Sequence, residues 1–162
     1  MARAEIISIG TELLLGDVLD TNSQFFSKEL ALLGIDCVYR ATVGDNKDRI
    51  IACLKSALER ADVVITSGGL GPTADYLSHE CMAELFGVEM DFDADTLAKI
   101  EKFFRARGAV MVDSNRKQAY RPKGADILLN PTGTAPGIIW SLGEADLRKL
   151  NLTDCSRPRV IL

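Results

Sequence analysis

The sequence predicts an α/β protein, a three-layer α/β/α arrangement around a mostly parallel sheet, and three observations carry that expectation. Apolar runs of strand length alternate with stretches of helical period, the pattern of strands joined by helical crossovers. Glycine or an acid follows each of the first three runs directly, at Gly10-Thr11, Gly44-Asp45 and Ser67-Gly68-Gly69-Leu70-Gly71. A chain of 162 residues that is 47% apolar and 26% charged has enough material for one buried core and argues against disorder.

The elements follow in order. Residues 4–9 form a short apolar strand, interrupted by Glu5 and Ser8. Asp20-Thr21-Asn22-Ser23 offers N-cap groups to a helix whose stripe is Phe25, Phe26, Leu30 and Leu33, stopped by Gly34. Residues 35–43 read as the second strand. Gly44-Asp45-Asn46 then caps a helix carrying Ile50, Ile51, Leu54 and Leu58 on one face. The third strand, 62–66, enters the glycine loop, and helices follow at about 75–86 and 95–107, the latter closed by Gly108. The stripes of Phe and Leu are expected in the core. Beyond residue 109 the pattern weakens. Short strands at 127–129 and 138–140 flank a second glycine loop, Asn130 to Gly137, as a hairpin on the sheet edge. A short helix at 144–150 and the start of another strand at 159–162 complete the reading.

Ligands of such sheets sit beyond the carboxyl ends of the strands, so the three loops are expected to line one mouth. Glycine there lets backbone N–H groups approach a phosphate closely. The loop at 67–73 is no Walker A motif, since no Gly-Lys-Ser/Thr follows, and Pro72 weakens its match to a dinucleotide fingerprint. A mere tight turn would need fewer glycines. Asp45 and Asp75 each stand after such a loop, as N-caps or as carboxylates for a hard cation such as Mg²⁺. Thr11 and Glu12 either satisfy the loop backbone or face the ligand.

Other features narrow the function. A net charge of −4 leaves no general basic field for nucleic acid. The cluster Arg116, Lys117, Arg121 and Lys123 is either a solvated face or a set of cations for a small phosphorylated ligand. Four cysteines without C-x-x-C spacing and a single histidine, His79, argue against zinc. His79 reads as a surface or helix residue rather than a catalyst. No apolar run approaches a membrane span and no signal peptide opens the chain, so a cytoplasmic protein is expected.

Four ordered motifs resemble one family: Ser8-Ile9-Gly10-Thr11-Glu12-Leu13-Leu14-Leu15-Gly16 with Asp20-Thr21-Asn22-Ser23; Thr42-Val43-Gly44-Asp45-Asn46; Ser67-Gly68-Gly69-Leu70-Gly71-Pro72-Thr73; and Pro131-Thr132-Gly133-Thr134-Ala135-Pro136-Gly137. They are similar to the N-terminal domain of the CinA-like (competence/damage-inducible protein A) family, which has a molybdopterin-binding-like fold. The resemblance implies a nucleotide pyrophosphatase acting on ADP-ribose with a divalent metal, Mg, Mn or Co. It places ligand contacts at Gly10, Thr11, Glu12, Asn22, Ser67, Gly68, Gly69, Leu70, Gly71, Thr73, Thr132, Gly133, Thr134 and Gly137. Asp45 and Asp75 would act as catalytic and metal-holding acids. The expected organisation is one domain over residues 1–162, shortened at its C-terminal end and lacking the family's deamidase domain. The expected partner is a nucleotide or pterin, with no nucleic acid and no membrane, and a homo-oligomer stays open. One departure stands out. The family pattern after the glycine loop is Gly-Pro-Thr-x-Asp-Asp-x-Thr, whereas Tyr76 occupies the position of the second acid. A phenol is an uncharged, poor metal ligand at neutral pH. Alternatives are therefore a non-catalytic nucleotide or pterin module, or a molybdopterin-processing, adenylyltransferase-like protein.

Overall fold

The computed structural model describes residues 2–70, 78–152 and 159–161. Its first half contains β1 (Arg3–Ile9), α1 (Thr11–Leu15), α2 (Thr21–Leu32), β2 (Asp36–Val43), α3 (Lys47–Arg60) and β3 (Val63–Gly68). The second half contains α4 (Ser78–Phe86), β4 (Met90–Phe92), α5 (Ala94–Ala106), a 3-10 segment (Asp113–Ala119) and β5 (Tyr120–Pro122). It ends with β6 (Asp126–Leu128), β7 (Gly137–Ser141), α6 (Glu144–Lys149) and β8 (Arg159–Ile161).

Among the described residues the main sheet has the order β2-β1-β3-β8-β7-β6. β1 pairs parallel to β2 and to β3, and β3 parallel to β8, while β7 runs antiparallel to both β8 and β6. The mostly parallel sheet, the adjacency of the first three strands and the edge hairpin are those expected from the sequence. The ribbon of β4 and β5 was not anticipated: Met90, Asp91 and Phe92 pair with Pro122, Arg121 and Tyr120.

β1 shows why the sheet has three layers. Ala4 and Ile6 pack with Leu30 and Ile65 on the face covered by α2. Ile7 and Ile9 join Ile50, Leu54, Met82 and Phe86 under α3 and α4 on the other. The two polar interruptions of the strand each find a partner. Glu5, fully buried, accepts two 2.8 Å hydrogen bonds from the Arg60 guanidinium on α3. Ser8 donates to Asp20 Oδ2 at 2.6 Å. Both are satisfied as buried polar groups must be.

Two expectations about the core are corrected. Phe25 is 58% exposed and Leu33 73% exposed. α2 lays Ser23, Phe26, Ser27 and Leu30 against the sheet, and a helical turn of 100° per residue carries Phe25 and Leu32 to the far side. Leu33 lies just past the helix end. His79 is in a helix as expected but not on the surface, since it is fully buried. Its Nδ1 lies 3.1 Å from the Tyr120 carbonyl, which ties α4 to β5. Burial drives the imidazole down to about 4 against the opposing effect of that contact.

Candidate functional site

The carboxyl ends of β1, β2 and β3 meet, and their loops are cross-linked by side chains. Asp45, after β2, accepts the Thr11 amide and the Thr11 hydroxyl on Oδ2, both at 2.8 Å. It thereby caps the first turn of α1, while Asn46, not Asp45, caps α3 through the Arg49 amide. Asn22 Nδ2, in the first turn of α2, donates to Ser67 Oγ at 2.9 Å. Between these links lies a cleft of about 160 Å³, bordered by Ser8, Glu12, Asp20, Asn22, Ser67 and Gly68. Of the expected contacts, Glu12, Asn22, Ser67 and Gly68 line this cleft, while Gly10 and Thr11, and Gly69 and Leu70, are their neighbours in the β1 and β3 loops.

Asp20 is committed within this mouth. It accepts Ser8 Oγ on one oxygen and the Ser23 amide, at 2.9 Å, on the other. Burial pushes its carboxyl up, but those hydrogen bonds and the Arg40 guanidinium outweigh it and hold it below the ordinary aspartate value. Arg40 in turn bonds Ser23 Oγ.

The glycine loop is held by its carbonyls. Ser78 Oγ, at the start of α4, donates to the Gly68 carbonyl at 2.8 Å, and Gln118 Nε2, in the 3-10 segment, to the Leu70 carbonyl at 3.1 Å. Across a trans peptide the C=O of one residue and the N–H of the next point to opposite sides. Fixing the Gly68 carbonyl on Ser78 therefore turns the Gly69 N–H away from α4. The need for glycine is also set by the protein itself. Gly68 has φ +103, and a Cβ there would stand 1.9 Å from the Ile9 carbonyl oxygen. Gly69 has φ +64, and its Cβ would meet Ser78 Oγ at 2.4 Å. Both positions exclude a side chain before any ligand arrives.

The second loop is supported differently. Asn130 Oδ1 accepts the Thr132 amide, the Thr132 hydroxyl and the Gly133 amide, each at 3.0 Å, and Asn130 Nδ2 donates to the Ala135 carbonyl at 2.9 Å. The amides of Thr132 and Gly133, two residues expected to contact the ligand, are thus consumed inside the loop. Gly133 and Thr134 line a separate cavity of about 110 Å³ with Thr96, Lys99 and Phe103 of α5, and Gly137 pairs with Leu128 in the β6–β7 hairpin.

Gly71, Thr73, Asp75 and Tyr76 lie outside the described residues, so the acid expected beside Asp45 is not placed. Among the described residues no group of three or more His, Cys, Asp or Glu side chains could hold a metal ion. The basic cluster splits: Arg121 bonds the Ala125 carbonyl at 2.8 Å and pairs with Asp93 at 3.5 Å, and Arg116 lies 3.9 Å from Asp113. The sequence reading missed Asn115 and Gln118, which lie where no periodic pattern runs, and gave no role to Ser78, inside the helix expected at 75–86. No helix among the described residues is long and apolar enough to cross a membrane.

Comparison with known proteins gives this geometry a family. Residues 5–152 match the model of the probable molybdopterin binding domain. A CinA-like protein of Trichormus variabilis is 53% identical over 137 residues, 85% of this chain and 33% of that protein. The chain spans about a third of the length of the curated relatives it matches. The crystal structure of the CinA protein of Thermoplasma acidophilum superposes with a TM-score of 0.81 at 32% identity, covering 98% of this chain and 86% of that one. The tungsten cofactor synthesizing protein MoaB of Pyrococcus furiosus, 20% identical with a TM-score of 0.59 over 99% and 80% of the two chains, shares the fold. With the family model covering nearly the whole chain and that crystal structure matching its architecture, the protein belongs to the CinA-like branch of the molybdopterin-binding domain family.

Proposed function

We propose that this domain binds an ADP-ribose-like nucleotide at the carboxyl ends of β1 and β3 and hydrolyses its diphosphate. The observation that carries this reading is the inward anchoring of the Gly68 and Leu70 carbonyls by Ser78 and Gln118. The Ser78 bond to the Gly68 carbonyl turns the Gly69 amide the other way, as a donor for a phosphate oxygen. Gly10, Thr11 and Glu12 border the ligand after β1 and Asn22 from α2, whereas Gly133 and Thr134 line the separate cavity against α5. Hydrolysis adds water across the P–O–P bridge and releases AMP and ribose phosphate.

A hard divalent cation would be held largely by the ligand's own phosphates. Thr11 engages Asp45 through Oδ2, leaving Oδ1 as a carboxylate donor, with Asp75 as the second acid from the sequence. Bound there, Mg²⁺, Mn²⁺ or Co²⁺ would polarise a phosphoryl oxygen and lower the pKa of a water molecule. Thr11 fixes the carboxylate of Asp45 by two hydrogen bonds, so this acid needs no reorganisation when the ligand enters.

A second reading rests on Tyr76, which stands where the family has an acid: a module that binds nucleotide or pterin without turnover. Incubation with ADP-ribose and Mg²⁺, Mn²⁺ or Co²⁺, with chromatography for AMP and ribose phosphate, separates the two. Product formation supports hydrolysis. Calorimetric binding without product supports the module, and neither product nor binding contradicts both nucleotide readings.

A further inference from the structure

Asn115 and Gln118 are polar, uncharged and only 3% exposed, in a 3-10 segment whose neighbours Arg116 and Lys117 are exposed. Nothing in a 3-10 turn calls for two buried carboxamides, and each costs free energy unless its groups are bonded. They form a relay. Asn115 Nδ2 donates to Gln118 Oε1 at 3.4 Å, and Gln118 Nε2 donates onward to the Leu70 carbonyl at 3.1 Å. Asn115 Oδ1 has no hydrogen-bond partner among the described residues. Gln118 also borders a small cavity with Thr96 of α5 and Pro136 of the second glycine loop. It therefore stands between the two loops and touches the backbone of the first.

We propose that Gln118 is a positioning residue for the glycine loop, fixing the Leu70 peptide for ligand capture while Asn115 fixes the Gln118 carboxamide. The inference rests on the nucleotide-binding reading given above. Gln118 acts through a main-chain carbonyl and need not touch the ligand. A donor is required there: the Leu70 carbonyl accepts, so only a group with an N–H or O–H serves. Glutamine supplies one at every pH, whereas glutamate does so only when protonated.

That difference supplies the test. Gln118→Leu keeps approximate size and removes the donor. Gln118→Glu keeps shape and restores the donor in acid. Backbone ¹⁵N order parameters of Gly69 and Leu70 in the ligand-free protein should fall in Gln118→Leu relative to the parent, with those of β1 unchanged. ADP-ribose with Mg²⁺ should bind Gln118→Leu about five- to tenfold more weakly, the scale of one neutral hydrogen bond. Gln118→Glu should match the leucine variant at pH 8 and move toward the parent at pH 5, each compared with the parent at the same pH. A structural role alone would not produce that pH profile. Should the leucine variant fail to fold, the glutamate variant carries the test between the two pH values. Loop order unchanged in the folded variants overturns the inference whatever binds. A less ordered loop in a protein whose parent fails to bind ADP-ribose supports the positioning role and refutes the nucleotide reading instead.

Discussion

The two glycine-rich loops have similar composition and opposite means of support. The first, Ser67 to Leu70, is held from outside by Asn22 of α2, Ser78 of α4 and Gln118 of the 3-10 segment. The second is held from within by Asn130, which takes two of its amides and one of its carbonyls. The contrast matters for chemistry. A loop anchored by carbonyls keeps its amides for an anion, whereas a loop whose amides bond its own asparagine is a rigid wall. Glycine content alone does not distinguish them.

The largest expected effect breaks the first loop at its base. Gly68→Ala places a Cβ against the Ile9 carbonyl at a φ that L-residues rarely adopt, and should cost on the order of 3 kcal/mol or more in urea denaturation. Gly133→Ala meets only the Asn130 side-chain amide, without positive φ, and should cost about 1 kcal/mol. Similar losses at both positions would erase the distinction.

Acid should loosen the first loop before the second. His79, beside Ser78, titrates at about 4 in the fold and near 6.5 when unfolded. The unfolded chain binds the extra proton between those values. The stabilisation is therefore complete above pH 6.5 and lost as pH falls toward 4, by up to about 1.4 kcal/mol per unit. Denaturation midpoints from pH 7.5 to 4.5 should fall in the parent and flatten in His79→Gln. Backbone ¹⁵N order parameters at residues 67–70 should fall more on acidification than those at 130–136.

Turnover should respond to Tyr76. If two carboxylates beside the cation are needed, Tyr76→Asp should raise AMP formation from ADP-ribose by about tenfold or more, since each ~1.4 kcal/mol of transition-state stabilisation is a factor of ten. Equal rates with and without the substitution would leave Asp45 and Asp75 as sufficient.

The smallest effects compare the supports directly. Ser78→Ala removes the donor to the Gly68 carbonyl and should weaken ADP-ribose binding about tenfold. Asn130→Ala should lower stability by about 1–2 kcal/mol yet weaken binding only about two- to threefold. A larger binding loss at Asn130 would reverse the roles of the loops.

The same contrast explains what the sequence discloses. β1, β2, β3, α3 and the hairpin of β6 and β7 announce themselves because their residues alternate or repeat locally. β4 and β5, three residues each and about thirty apart in sequence, carry no period, and their pairing is purely tertiary. Glu5, Ser8 and His79 look like surface residues until their partners Arg60, Asp20 and Tyr120 are placed. Phe25 and Leu33 look like core because their spacing is helical, although α2 turns other residues to the sheet. Within the site, Gly10, Thr11, Asp45 and Gly68 are legible as small or acidic groups at the ends of strands. Ser78 and Gln118 are not, since each serves a main-chain carbonyl brought to it only by folding.

Titrating ADP-ribose with Mg²⁺ into ¹⁵N-labelled protein tests the central claim most directly. Saturable amide shifts should be largest at Gly69 and Leu70, present at Gly10 to Glu12, and small at Thr132 and Gly133, whose amides are already bonded to Asn130. Shifts absent from residues 67–70 at saturation, or centred on residues 130–136, would contradict the assignment of the first loop as the phosphate site.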